Sequence, residues 1–424
     1  MSSLLVAFDL GDQYVRAAIG RPQGEQIEIL AVEQKAYRQS GCMQSGIVMR
    51  TSEVAYTLRA CAQLLQNRIN KEDKISSAFI SIGGQGMRTI RIIGQRESGG
   101  MLRVTERLMK DLLHDTIEKV ENKYKQEGHP IRIVEHYENR YWVDENEVDN
   151  ILEQKGKKIE VEYSFVIIPV AYEHDGEKMV ERDFIQSIQK AFAQAGLSIE
   201  HYFLKSDALS TALLEDNERE QGCALIDFGG GSTNVCIYQH NKPLFIGCVP
   251  IGGKHITADI SSLGISFAHA EKLKCKYGQA LESAMQRAYI VQIPSVEPNA
   301  PAIKIDTRLL NRIIEHRQKQ ALSAIIKQIK SHHVKHLVVT GEGSKLHDLD
   351  TLLEEATGLQ ARHGSHDVWV TQGIEDVPSY SLLVGTMILG ACYRKEHPNE
   401  KPPKPIIPNN LKDRAKALMD KLFT

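Results

Sequence analysis

"ALIDFGGGSTNVCIY", residues 224–238, runs apolar as far as Asp227, breaks into Gly229, Gly230 and Gly231, and resumes as a second apolar run. Two strands around a turn are predicted. Taken alone, the glycine cluster is either a tight hairpin or a place where backbone N–H groups can approach a phosphate, because glycine has no side chain to block the way. The stretch has a partner. In "LLVAFDLGDQYVRAAIG", residues 4–20, the same frame recurs: apolar run, Asp, any residue, Gly, polar turn, apolar run. Asp227 lies 218 residues after Asp9, and a repeat at half the chain length predicts two copies of one domain type.

The 424 residues are 42% hydrophobic and 25% charged, an ordinary globular composition on a chain too long for one core. Lys plus Arg number 52 against 54 Asp plus Glu, which argues against nucleic-acid binding. The seven cysteines are scattered and never spaced CxxC, as expected of reduced thiols in a cytoplasmic protein. The opening "LLVAFDLG" has no basic region or cleavage site, and no stretch reaches the ~18 apolar residues of a spanning helix. The expectation is a soluble protein that can still lie on a membrane.

Along the chain, "QIEILAVEQ" (26–34) completes a three-stranded meander, and Thr51 or Ser52 is placed to cap a helix bearing Val54, Leu58, Cys61, Leu65 and Ile69. "SSAFISIGG" (76–84) reads as a strand. Residues 85 to about 165 form a small α+β insertion, with a helix near 104–125 that carries Leu108, Leu112, Ile117, Val120 and Tyr124 on its core side. A helix with Phe184, Ile188 and Phe192 is stopped by Gly196. After the second glycine turn come helices near 254–263 and 266–277, a strand at 289–294, a long helix from Thr307 to Ser331, and "VKHLVVTGEGSKL" (334–346), a strand running into a glycine turn. A helix near 380–395 closes the folded part.

An Asp at a strand end repels phosphate directly but can hold Mg²⁺ or its waters, and the cation then bridges to phosphate oxygens. Asp9 with Gly11 to Tyr14, and Asp227 with Gly229 to Asn234, are therefore read as two jaws of one clamp. In "TGEGSKL", a sugar and base can rest against Gly341, Gly343 and the following helix, though a plain strand-to-helix turn explains the glycines as well. Gly252 and Gly253 stand equally open between those two readings. Glu271 and Lys274 share a helix face, either as a solvated ion pair or as contacts to a ribose or adenine edge. His332, His333 and His336 find no completing ligands and read as a polar helix end.

The order of these elements, with "GGKHITADI" (252–260), "AEKLKCKYG" (270–278) and "YSLLVGTMILG" (380–390), resembles the actin-type (actin/Hsp70) ATPase superfamily. Within it, the insertion, the length and the tail resemble the FtsA family of bacterial cell-division actin homologues. The resemblance covers essentially the whole chain. It implies an α/β fold of duplicated actin-like (ribonuclease H-like) lobes. The first lobe would comprise 1–84, 166–205 and 375–395, with the insertion at 85–165. The second would be 206–374, with a smaller subdomain at about 254–310.

The resemblance also implies that ATP and Mg²⁺ are bound. Asp9 and Asp227 would hold the metal through water. Gly11, Asp12, Gln13 and Tyr14 would form the first phosphate loop, and Gly229, Gly230, Gly231, Ser232, Thr233 and Asn234 the second. Glu271, Lys274, Gly341, Gly343 and Ser344 would contact the adenosine. Two positions depart from the family: Asp12 stands where Thr or Ser is usual, and Glu342 replaces the second glycine of a Gly-Gly pair. Both bear on affinity and hydrolysis, since a carboxylate beside phosphate is unfavourable without a cation. No catalytic base is evident, so any ATPase activity is expected to be slow and to serve as a switch.

The chain ends with a proline-rich linker (396–409) and a helix (410–424) whose Leu411, Ala415, Leu418, Met419, Leu422 and Phe423 form one stripe. Lys412, Arg414, Lys416 and Lys421 outnumber Asp413 and Asp420 and suit anionic lipid, so membrane binding is favoured over packing on the protein itself. The resemblance further implies self-association into protofilaments on the cytoplasmic face of the inner membrane at the division site, with other division proteins as partners. It also implies tethering of the tubulin-like FtsZ, whose C-terminal peptide would dock on the 254–310 subdomain and the next helix. Arg317 is a candidate contact there, or a solvated helix charge. The alternatives are a PilM-like pilus-assembly adaptor, which shares the insertion but generally lacks such a tail, and a sugar-type kinase, which needs a carboxylate base and leaves the tail unexplained.

Overall fold

In the computed structural model, which describes residues 4–70, 73–175, 178–297, 300–371 and 376–399, each glycine turn sits at the centre of a five-stranded sheet. The first begins with the antiparallel meander β1 (Leu5–Leu10), β2 (Tyr14–Gln23) and β3 (Gln26–Ala36). A short hairpin, β4 (Met43–Gln44) and β5 (Ile47–Val48), leads into α1 (Thr51–Gln66), which buries Val54, Leu58, Cys61 and Leu65. The expected caps are displaced: Arg50 holds the cap position without a side-chain bond, and Thr51 is already helical. β6 (Ser77–Ile82) then runs parallel to β1.

The insertion consists of β7 (Arg88–Arg103), α2 (Glu106–Gln126), β8 (Ile131–Val143), β9 (Asn146–Val148) and β10 (Lys155–Pro169), with sheet order β7-β10-β8-β9. α2 starts where Thr105 Oγ1 accepts from Leu108 N at 3.2 Å. Its Leu112 and Val120 are buried, and Leu108, Ile117 and Tyr124 pack at the edge of the same core. The sequence predicts a short strand at "MRTIRII" (87–93), and β7 extends well past it, because pairing with β10 carries the polar residues that follow.

A hairpin, β11 (Ala171–Asp175) and β12 (Lys178–Arg182), precedes α3 (Phe184–Ala195). α3 is capped by Asp183 and ended by Gly196 at φ +80°, a left-handed residue that glycine adopts without strain. β13 (Ser198–Leu204) joins the first sheet beside β6, and α4 (Lys205–Leu213) and α5 (Asp216–Gln221) lead to the second sheet.

That sheet repeats the first strand for strand. β14 (Cys223–Phe228), β15 (Thr233–Gln239) and β16 (Lys242–Val249) form an antiparallel meander. After α6 (Gly253–Ser261), α7 (Phe267–Tyr277), the hairpin β17 (Ile290–Ile293) and β18 (Ile303–Asp306), and the long α8 (Thr307–Ser331), β19 (His336–Thr340) returns parallel to β14. α9 (Leu349–Thr357) and β20 (Ala361–His363) complete the sheet. The orders β3-β2-β1-β6-β13 and β16-β15-β14-β19-β20 are the same topology, three antiparallel strands followed by two parallel ones.

β14 alternates in the manner of a strand buried on both sides. Ala224, Ile226 and Phe228 share a core with α8 and α9, while Cys223 and Leu225 join the core that runs on into the first sheet. α10 (Val377–Glu396) packs against α4, and a Cβ at Gly385 would lie 1.8 Å from the Ala208 carbonyl oxygen. Gly385 of "YSLLVGTMILG" is thus set by helix-to-helix contact. The helix expected at 410–424, and 400–409 of the linker, lie outside the described residues.

Candidate functional site

The two turns are built alike. Gly11 N donates to Tyr14 O at 3.0 Å, and Gly229 N donates to Ser232 O at 3.0 Å. Asp9 and Asp227 are each the penultimate residue of the strand before the turn. The turns face each other so closely that a Cβ on Gly231 would fall 1.9 Å from Asp12 Oδ2. The tip of the β4–β5 hairpin fills in beside them, where Ser45 N donates to Asp12 Oδ2 at 3.1 Å and Ser45 Oγ to Gly231 O at 3.1 Å.

A cavity of about 380 Å³ opens from the second turn toward α7 and α8, lined by Gln13, Gly229, Gly230, Thr233, Gly252, Gly253, Glu271, Lys274 and Gly343 among others. Gly252 lies against Gly229, whose carbonyl oxygen a Cβ would approach to 2.5 Å, and nothing lies within 4 Å of a Cβ on Gly230. The start of α6 clips this wall in place, with Gly253 N donating to Gly229 O at 3.0 Å and Lys254 N to Gly230 O at 2.8 Å. A smaller cavity of about 90 Å³ lies between the turns and holds Asp9, Gly11, Asp12, Gly231, Ser232, Asn234, Asp227 and Gly341. Tyr14 and Ser344 line neither cavity. The Ser344 hydroxyl turns inward to Gly341 O at 2.7 Å, and the Tyr14 ring lies 5.7 Å from the Arg16 guanidinium carbon.

Glu271 and Lys274 are an ion pair at 2.8 Å, but a part-buried one that fastens α7 to α6. Lys274 Nζ also donates to Gly253 O at 3.1 Å and Thr257 Oγ1 at 2.9 Å. Burial alone would raise the Glu271 pKa, but hydrogen bonds from Lys274 and Thr257 hold it below the ordinary value. Arg317 is no free helix charge. Its Nε and Nη2 meet Asp259 Oδ2 and Oδ1 at 2.6 Å each, at the rim of the larger cavity.

Three cations that motif reading passed over balance the acids of the cleft. Lys205 Nζ donates to Asp9 Oδ1 at 3.2 Å, and Arg16 Nη1 lies 3.6 Å from Asp9 Oδ2. Burial opposes the charge on Lys205, yet Asp9 and Asp227 outweigh it and raise the Lys205 pKa. Burial raises the Asp227 carboxyl, against the pull of Lys205 and of Asn234, which donates to Asp227 Oδ2 at 3.2 Å. Lys254 of the second sheet's half pairs with Asp12 of the first, and Arg16 of the first pairs with Glu342 of the second. The two departures from the family pattern are thus the acidic halves of two ion pairs that cross the cleft in opposite directions. Lys254 sits in the quoted "GGKHITADI", so its position was on view, but only the fold shows which acid it meets. Among the described residues no cluster of three or more His, Cys, Asp or Glu could hold a metal, and His332 bonds within its own helix end.

The duplicated sheets and the cleft between them define an actin-like fold. The chain superposes on the PilM–PilN type IV pilus biogenesis complex with a TM-score of 0.60 and 14% identity, covering 92% of this chain and 98% of that one. On MreB5 of Spiroplasma citri bound to ADP the TM-score is 0.52 at 12% identity, covering 94% and 99%. These likenesses show the fold, an actin-like one. More particularly, the chain is similar to bacterial cell division proteins FtsA. The family description "Cell division protein FtsA" matches residues 224–385. FtsA of Pseudomonas aeruginosa is 24% identical over 400 residues, covering 91% of this chain and 89% of that one. FtsA of Escherichia coli is 23% identical over 406 residues, covering 91% and 90%.

Proposed function

We propose that the chain is an ATP-binding cell-division protein that polymerises on the cytoplasmic face of the membrane and tethers the tubulin-like FtsZ ring to it. The similarity to FtsA proteins over about nine-tenths of both chains carries the cell-division reading. The cleft supports the nucleotide reading. Glycines that a Cβ would clash with line a cavity of about 380 Å³, large enough for a nucleoside, which leads to two turns rich in backbone donors. Gly252, Gly253, Glu271, Lys274 and Gly343 would hold the nucleoside, and Gly229 and Gly230 the first phosphates.

Mg²⁺ fits this site through water. Asp9 and Asp227 line one small cavity as hard oxygen donors, and the buried Thr340 Oγ1 beside them has no hydrogen-bond partner among the described residues. When bound, Mg²⁺ supplies charge neutralisation at the phosphates. Lys205 already offsets part of the negative charge of Asp9 and Asp227. The carboxylates between the turns are each engaged, Asp9 by Lys205, Asp12 by Lys254 and Asp227 by Asn234, which supports a switch with slow turnover.

The basic amphipathic stripe at 411–423 supports the membrane reading, and polymerisation would multiply its modest affinity. FtsZ's C-terminal peptide would dock on the 254–310 subdomain and α8, where an acidic group would compete for Arg317 with Asp259 and Gln320. Flotation with anionic liposomes tests the tether: the full chain should float and a chain ended after Asn409 should stay in solution. Equal flotation of both would sink the tether. Failure of an FtsZ C-terminal peptide to bind the liposome-bound chain would sink the partner assignment.

A further inference from the structure

We propose that Asp12 is an internal anion that fills the terminal-phosphate end of the cleft, so that the site selects nucleoside diphosphates over triphosphates. The proposal rests on the nucleotide reading above and adds to it the identity of the ligand. The Asp12 carboxylate occupies what chemically is an anion site, with the Ser45 backbone N–H at 3.1 Å, the Lys254 ammonium as counterion and the bare Cα of Gly231 against it. Its side chain is only 6% exposed. A Cβ on Gly231 would fall 1.9 Å from Asp12 Oδ2, so the wall that the small cavity between the turns presents at this point is a carboxylate.

The geometry of the second turn sets how far a polyphosphate can reach. Beside Gly230 a Cβ would meet nothing within 4 Å, so phosphates entering from the nucleoside end find space there. One step further, a phosphate meets the carboxylate. It must then either sit beside a buried negative charge, where repulsion is poorly screened, or displace Asp12 from Lys254 and Ser45. The other two cations at this end are engaged, Lys205 and Arg16 with Asp9, and Arg16 with Glu342 as well. A diphosphate leaves the Asp12–Lys254 pair in place. With Asp12 replaced by a small hydroxyl, Lys254 and the Ser45 N–H become free for a third phosphate.

Calorimetric titration of the full chain with ADP and with ATP, each with Mg²⁺, tests this, with folding checked by circular dichroism. The wild type should bind ADP at least about tenfold more tightly than ATP, and Asp12→Ser should reduce the ratio to about threefold or less, chiefly by tightening ATP. Asp12→Asn, which keeps the shape and removes the charge, should fall between and serves if the serine variant does not fold. Equal affinities in the wild type, or an unchanged ratio in a variant that still binds, overturns the proposal and leaves the nucleotide reading standing. Binding of neither nucleotide by wild type or variant overturns both.

Discussion

The two glycine turns share a closing hydrogen bond and an adjacent Asp, yet differ at one decisive position: Asp12 of the first stands where the second has Gly230. The second turn keeps its backbone bare toward a cavity. The first offers a carboxylate that reaches across and is held there by Lys254. The same duplicated scaffold therefore supplies an open backbone surface on one side and a bolt on the other. Duplication fixes where a turn sits, and a single side chain decides whether it faces a cavity or is tied to the opposite lobe.

The comparison breaks most severely where backbone crowding is greatest. Gly341, at the end of β19, has φ +83°, and a Cβ would lie 2.5 Å from Asp227 Oδ1 and 2.6 Å from Phe228 O. Gly341→Ala combines a strained left-handed residue with a clash against the second turn, and should cost about 3 kcal/mol by urea unfolding. Next comes the bolt. Lys254→Ala strands the buried Asp12 carboxylate, and with Lys254 26% exposed the loss should be about 2 kcal/mol. Adding Asp12→Ser should recover most of it. A double mutant as unstable as the sum of the singles would show that the pair is not coupled.

Both turns, the duplicated meander and the boundaries of α8 were legible in the sequence, because apolar runs broken by glycine leave a strong local pattern. The ion pairs were not. Asp12 and Lys254 lie 242 residues apart, and Arg16 and Glu342 lie 326 apart. A charge pattern along the chain carries no information about which lobe a side chain will face. Gly385 was visible only as part of a motif, while its reason, the Ala208 carbonyl, comes from helix packing. β7 outran its apolar signal because its partner strand, not its own composition, holds its far end.

A third carboxylate sharpens the contrast, because it has hydroxyl partners in place of a cation. Asp207 on α4 accepts from Tyr137 of the insertion at 2.9 Å and from Tyr238 of β15 at 3.2 Å. Burial pushes its pKa from 3.8 up to about 6, with Tyr137 pulling it down and Glu135 adding to the rise. Over that window the folded chain keeps a proton the unfolded chain has lost, so stability falls as pH rises from about 4 to about 6 and then levels off. Going from pH 7 to pH 5 should therefore add roughly 1 kcal/mol that Asp207→Asn does not gain. Parallel pH responses in the two proteins' urea midpoints would remove Asp207 as the cause.

The smallest effect belongs to the second cross-cleft pair. Glu342 is 44% exposed and shares its carboxylate between Arg16 and Ser379, whose hydroxyl donates at 3.2 Å. Glu342→Gln leaves Arg16 with Asp9 at 3.6 Å and with Gln34, to which it donates at 2.7 Å, so no buried charge is stranded. Solvent screening then limits the loss to less than about 1 kcal/mol. Burial of the acid, more than the presence of an ion pair, separates this strap from the Asp12 bolt. If Glu342→Gln destabilised the chain as much as Lys254→Ala, the two crossings would be equivalent and Asp12 would lose its special standing between the turns.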